Sequence, residues 1–239
     1  MLSLLVGSCG RQTDAETDTI LVYCTPDAVP YARILKRLAK QNGEQRQITL
    51  APMRSGDILT AVDGTRAGDF VIAVGGGMEE KLQKLELVRM PSVSHALGVC
   101  LVSTEAAKLA DMGLPGKRLG SGKPGTALAR AVDQALPEAL RSAISANVVH
   151  HSARSDELVR LVGLGSLDAA FVWSSPPPAP DLSTLHLPRQ ADFRPLRIVA
   201  LSCSRLPTAD TKAMLDLWER SIAPQALAED TGKTEGSAK

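Results

Sequence analysis

The chain has 239 residues, 44% hydrophobic and 22% charged, with 27 basic against 26 acidic side chains and a net charge of +1. That length suits one large or two small domains, and the charge balance gives no electrostatic footprint for DNA or RNA. Aromatic residues make up 3%, too few for a stacking platform, and no apolar run reaches the ~18–20 residues of a membrane-spanning helix.

The chain opens on Met1-Leu2-Ser3-Leu4-Leu5-Val6-Gly7-Ser8-Cys9, an apolar stretch that ends in small residues before a cysteine. It resembles the end of a bacterial lipoprotein leader, with Val6-Gly7-Ser8-Cys9 as the lipobox. That resemblance implies a lipid on Cys9, removal of residues 1–8, and a location in the cell envelope, periplasmic or extracytoplasmic. Polar Arg11 to Asp18 then reads as a tether. The other reading is a buried first strand with an incidental cysteine.

From Thr19 strands and helices alternate. Residues 20–24 form an apolar strand, and Ala32 to Lys40 a helix with Ile34, Leu35, Leu38 and Ala39 on one face. Ile48-Thr49-Leu50 is a second strand, and Ser55-Gly56-Asp57 opens a short helix. Phe70 to Val74 is wholly apolar, as a parallel strand covered on both faces requires; Gly75-Gly76-Gly77 leads from it into a helix over Met78 to Leu85. A second unit starts with a strand over 97–102. Ser103 reads as the N-cap of a helix from Thr104 to Met112, with Ala106, Ala107, Leu109 and Ala110 on its apolar face. Arg118 to Ser121 is strand-like, and Gly122-Lys123-Pro124-Gly125-Thr126 opens the next helix; Pro137 interrupts that helix or starts another. Strands over 147–150 and 169–173 flank a helix over Ser155 to Leu164. Ser174 to Pro180 is a stiff loop, Leu185 to Leu187 a short strand, and 196–203 a strand before a last helix, Thr208 to Ile222. Residues 229–239 read as a disordered tail.

This alternation predicts an α/β protein of two lobes, each a mixed, mostly parallel sheet flanked by helices, with a ligand cleft between them. Lobe 1 takes residues 19–96 plus 196–228 and lobe 2 takes 97–195, after a leader and tether over 1–18. The strands near Leu97 to Val102 and Leu196 to Leu201 are expected to cross as the hinge.

Cys24, Cys100 and Cys203 lie in apolar, β-like runs and are read as free, buried thiols; a Cys100–Cys203 disulfide is the alternative that export would permit. No catalytic motif stands out: there is no GxSxG, no Walker A, no HExxH. Adjacent His150 and His151 face opposite sides of a strand and cannot share a metal. No cofactor and no direct metal ligand is expected. Four strand-to-helix junctions instead carry hydroxyls, glycines and open backbone N–H groups: Thr25-Pro26-Asp27, Arg54-Ser55-Gly56, Pro124-Gly125-Thr126 and Ser152-Ala153-Arg154-Ser155. Such ends bind anions without a formal cation, although each alone also serves as an ordinary N-cap.

At these residues the chain resembles the type II periplasmic solute-binding proteins, and among them the molybdate-binding proteins of ABC importers. The resemblance runs over Asn147-Val148-Val149 and from Leu158 through Gly163, Gly165 and Asp168-Ala169-Ala170 to Trp173. Arg54-Ser55-Gly56 and Pro124-Gly125-Thr126-Ala127 resemble two ligand loops of that family. It implies a small tetrahedral oxyanion, molybdate or tungstate first, held by Thr25, Ser55, Pro124, Gly125, Ser155 and Trp173. A monomeric, non-enzymatic receptor would then pass the anion to an ABC permease, touching the membrane only through the lipid on Cys9. Three positions depart from the family pattern: Trp173 and Ala127 replace tyrosines, and Asp27 puts a carboxylate beside the first loop. The alternatives are ferric iron, phosphate or sulfate as the solute, or an enzyme or ligand sensor on the same fold.

Overall fold

The computed structural model describes residues 19–75, 77–174, 181–188 and 195–228. The expected leader with Cys9, most of the loop at 174–180 and the tail at 229–239 lie outside them.

Two five-stranded sheets form the frame. The first carries β1 (Thr19–Cys24), β2 (Gln47–Pro52), β3 (Phe70–Val74), β4 (Val93–His95) and β10 (Leu196–Ala200) in the order β2-β1-β3-β10-β4. The second carries β5 (Val99–Ser103), β6 (Leu119–Gly122), β7 (Val148–Ser152), β8 (Ala169–Trp173) and β9 (Ser183–His186) in the order β7-β6-β8-β5-β9. Within each sheet three strands run parallel, β1 to β3 and β6 to β8, and the others pair antiparallel. Every residue of β3, β5 and β8 is buried, because helices cover both faces and the strands read as unbroken apolar runs.

Among the described residues, seven α-helices connect and cover the strands: α1 (Val29–Gln41), α2 (Ser55–Thr65), α3 (Met78–Lys84), α4 (Ala127–Ala135), α5 (Glu138–Ala146), α6 (Ser155–Gly163) and α7 (Thr208–Ala228). A 3-10 turn, Pro26–Ala28, leads directly into α1. Pro137 is the N-cap of α5, so it starts a helix and does not break one. α7 lies against α1, β4 and β10, anchored by Trp218. That indole sits edge-on to Phe70 with centroids 4.8 Å apart, and its Nε1–H donates to the Leu35 carbonyl at 3.3 Å.

Two expectations need correction. The segment 104–112 is no α-helix: after β5 it bends, and only a 3-10 turn, Leu109–Gly113, follows. Ser103 turns its hydroxyl onto the Glu105 carbonyl, a local bond that competes with N-capping, and Ala106 and Ala110 face solvent with nothing to pack against. The proposed hinge strands do not cross either. β5 and β10 each belong to one sheet, and the chain passes between sheets after β4 and again between β9 and β10. As expected, Cys24, Cys100 and Cys203 form no disulfide, Cys24 and Cys100 being buried and Cys203 half-buried. Cys203 lies past the end of β10, its thiol on the Gly68 carbonyl, while Cys100 sits inside the second sheet opposite Val172.

Candidate functional site

The parallel strands aim their carboxyl ends the same way, so each sheet gathers three loops along one edge. In the first sheet these are 25–28, 53–55 and 75–77; in the second, 123–126, 153–154 and the residues after Trp173. Both connections between the sheets start and end at these same edges. His95 pairs with Leu196, and Leu196 with Val74 at the end of β3; Val99 pairs with Trp173 at the end of β8. The two carboxyl edges therefore face one another. They meet at Gly75, where an added Cβ would lie 3.6 Å from the Ala127 Cβ.

On the first edge, Thr25 is 3% exposed. Its backbone N–H donates to the Ile72 carbonyl at 3.0 Å. Its hydroxyl donates to Asp27 Oδ1 at 2.7 Å and accepts from the Val74 N–H at 3.2 Å. The one proton of that hydroxyl is thus committed inside the protein. Burial pushes the Asp27 carboxyl up to about 6, against the lowering pull of the Thr25 hydroxyl and the backbone N–H groups of Asp27 and Ala28. Ser55 is different. It is exposed at the first position of α2, Arg54 provides no side-chain cap, and the Ser55 hydroxyl makes no hydrogen bond among the described residues.

On the second edge, β6 delivers Lys123-Pro124-Gly125-Thr126 as a tight turn closed by the Thr126 N–H on the Lys123 carbonyl at 3.0 Å. Gly125 has φ +83°, a backbone state that favours glycine. Thr126 caps α4 by accepting from the Ala129 N–H at 3.3 Å and spends its proton on the Lys123 carbonyl. Pro124 and Gly125 are exposed, and the first N–H groups of α4 have no partner within their helix. Ser155 opens α6; its hydroxyl accepts from the Trp173 backbone N–H at 3.4 Å, which leaves its own proton to donate. Trp173 is 4% exposed at the end of β8. Ser152 is fully engaged, donating to Glu157 at 2.7 Å and accepting from the Arg154 N–H at 3.0 Å. The Arg154 guanidinium is tied to Asp156 and brings no unbalanced charge to the site.

Of the residues singled out in the sequence, Thr25, Pro124, Gly125, Ser155 and Trp173 come together on the facing edges, with Ser55 at the start of α2, after the outermost strand, β2. The sequence missed two neighbours. Gly75, at φ +115°, is where the edges touch; its signal was the glycine run after a buried strand. Tyr31 is 2% exposed with a hydroxyl that has no partner, and burial and the nearby Asp27 and Cys100 push its phenol well above the usual range. His150 is half-buried with Nε2 3.4 Å from Glu157, and His151 is exposed. Among the described residues no three His, Cys, Asp or Glu side chains gather as a metal site, and no helix is long and apolar enough to cross a membrane.

Known structures share this architecture. The substrate-binding domain of a candidate molybdenum ABC transporter from Clostridium difficile superposes with a TM-score of 0.65 at 15% identity, over 90% of this chain and 97% of that one. The periplasmic molybdate-binding protein of Azotobacter vinelandii gives 0.60 at 16% identity, over 87% and 95%. The sulfate-binding protein of Mycobacterium tuberculosis gives 0.60 at 12%, over 88% and 85%. At such identities these likenesses show the fold alone. A search of curated protein sequences finds no match. The model of one family, bacterial extracellular solute-binding protein, matches residues 20–228. Two sheets whose loop-bearing edges face each other, together with a family match over nearly the whole described chain, lead to one conclusion: this chain belongs to the bacterial extracellular solute-binding proteins.

Proposed function

We propose that this chain is the substrate-binding component of an ABC importer and captures a small tetrahedral oxyanion between its two lobes. Molybdate and tungstate are the first choice. The observation that carries this reading is the state of the hydroxyl protons on the facing edges. Ser55 and Ser155 keep theirs, and the helix starts of α2, α4 and α6 open beside them. Uncharged donors of this kind satisfy a desolvated anion while leaving release possible once the lobes part. In this reading lobe 1 is 19–96 plus 196–228, lobe 2 is 97–195, and the chain crosses between the lobes at 96–98, after β4, and again after β9. A lipid on Cys9 would tether a monomer in the cell envelope beside its permease.

The similar structures include binding proteins for molybdate and for sulfate, so the screen spans both. A thermal-shift panel of molybdate, tungstate, sulfate, phosphate and ferric citrate is expected to raise the melting temperature with an oxyanion, since a ligand of the native state stabilises by mass action. Ser55→Ala weakens binding of that anion by about 1–3 kcal/mol through the lost donor. A shift with ferric citrate alone would overturn the oxyanion as ligand.

A further inference from the structure

The hydroxyl of Thr25 stands at the centre of the first edge, yet its proton points at a neighbour in its own loop. It donates to Asp27 Oδ1 at 2.7 Å, and one of its two lone pairs takes the Val74 N–H at 3.2 Å. While Asp27 is ionised, this hydroxyl has no proton for a ligand. Protonation changes the count. A neutral Asp27 donates its new O–H to the second lone pair of Thr25, the Val74 bond stays, and the Thr25 proton turns outward.

We propose that oxyanion capture by this cleft is proton-linked through Asp27, which must take up a proton before Thr25 can donate to the anion. The proton comes from solvent and no other bond changes. This inference rests on the oxyanion-receptor reading and adds a proton-linked positioning residue to it.

The surroundings leave Asp27 as the group that titrates in this cluster near neutrality. Burial holds it up to about 6. β3, which packs against the 26–28 turn, carries no titratable side chain. α1 brings Tyr31, whose phenol is pushed well above its usual range, and Arg33, which acts on Cys24. Cys24 itself is pushed up to about 11 by burial and stays neutral; from the second sheet, Cys100 faces Tyr31. His95 lies on β4, the far edge strand of the first sheet. It is the same in wild type and in an Asp27 variant, so the difference between proteins isolates Asp27.

The test is calorimetric titration of the wild-type chain and Asp27→Asn with micromolar molybdate and with sulfate, both dianions from pH 6 to 8. Buffers of differing ionisation enthalpy count the protons. With a carboxyl titrating near 6, the binding-competent fraction falls from about half at pH 6 to about one in a hundred at pH 8. Wild-type affinity is therefore expected to drop about fiftyfold, with close to one proton taken up per anion at pH 8. Asp27→Asn, whose amide donates to Thr25 at every pH, is expected to bind with a flat profile. Thr25→Val, which keeps Asp27 but has no proton to turn outward, is expected to lose the gain at low pH. A flat wild-type profile with no proton uptake overturns the proton link and leaves the oxyanion reading standing. Failure of both dianions to bind wild type and Asp27→Asn at either pH overturns both.

Discussion

Hydroxyl groups of the same chemistry behave differently along the facing edges because of where their protons go. Ser155 accepts from the Trp173 backbone and keeps its proton; Thr126 and Ser152 spend theirs on Lys123 and Glu157; Thr25 spends its own on Asp27. The carboxyl also has a consequence for stability. Its folded value of about 6 lies above its ordinary 3.8, so the folded state binds the extra proton between these values, and stability falls as pH rises through that window. Asp27→Asn removes this cost. It is expected to stabilise the fold by about 1–3 kcal/mol at pH 7.5 and by almost nothing at pH 3.5, as read by urea unfolding at the two values. Part of this was legible in the sequence. Ser55 and Ser155 could be picked out because a hydroxyl at a strand-to-helix junction is a local pattern. The bond that ties up Thr25 could not, because it depends on a side-chain rotamer two residues away and on Val74, 49 residues distant.

At the level of elements, unbroken apolar runs and amphipathic helices were legible: β3 and β8 are five-residue apolar runs buried throughout, and the buried residues of α1 recur at helical spacing. Short or weakly patterned pieces were not. β4 has three residues and forms only because β10 offers it an open edge. The alanine-rich segment after β5 has helical composition, but Ala106 and Ala110 are exposed and only Ala107, Leu109 and Met112 reach the core, too little to hold a short helix, which depends on packing. The β6–α4 junction shows what a strand-to-helix turn demands. A Cβ at Gly122 would lie 2.6 Å from the Ala129 backbone nitrogen and 2.9 Å from the Leu128 Cβ, contacts the backbone cannot yield without moving α4. Gly122→Ala is expected to cost about 1–3 kcal/mol by overpacking and to weaken oxyanion binding by displacing the Pro124-Gly125 turn. Gly64→Ala, in open space within α2, is expected to gain about 0.5–1 kcal/mol. Urea melts of the two variants compare them directly; equal effects would deny the close approach at Gly122.

For the whole molecule, the decisive feature is that both chain crossings join carboxyl-terminal sheet edges, which brings loops far apart in sequence onto one cleft. The alternation of strands and helices implied two units. That β5 and β10 stay within single sheets, so that neither strand carries the crossing, followed only from the pairing itself. If the cleft closes on its ligand, residues from both lobes must sense one anion together. The direct test is an amide-resolved NMR titration of the wild-type chain with molybdate at pH 6. The account predicts that the Ser55 and Gly75 amides on one edge and the Gly125 and Ser155 amides on the other shift with a single common dissociation constant. Shifts confined to one edge, or to surfaces away from both, would contradict it.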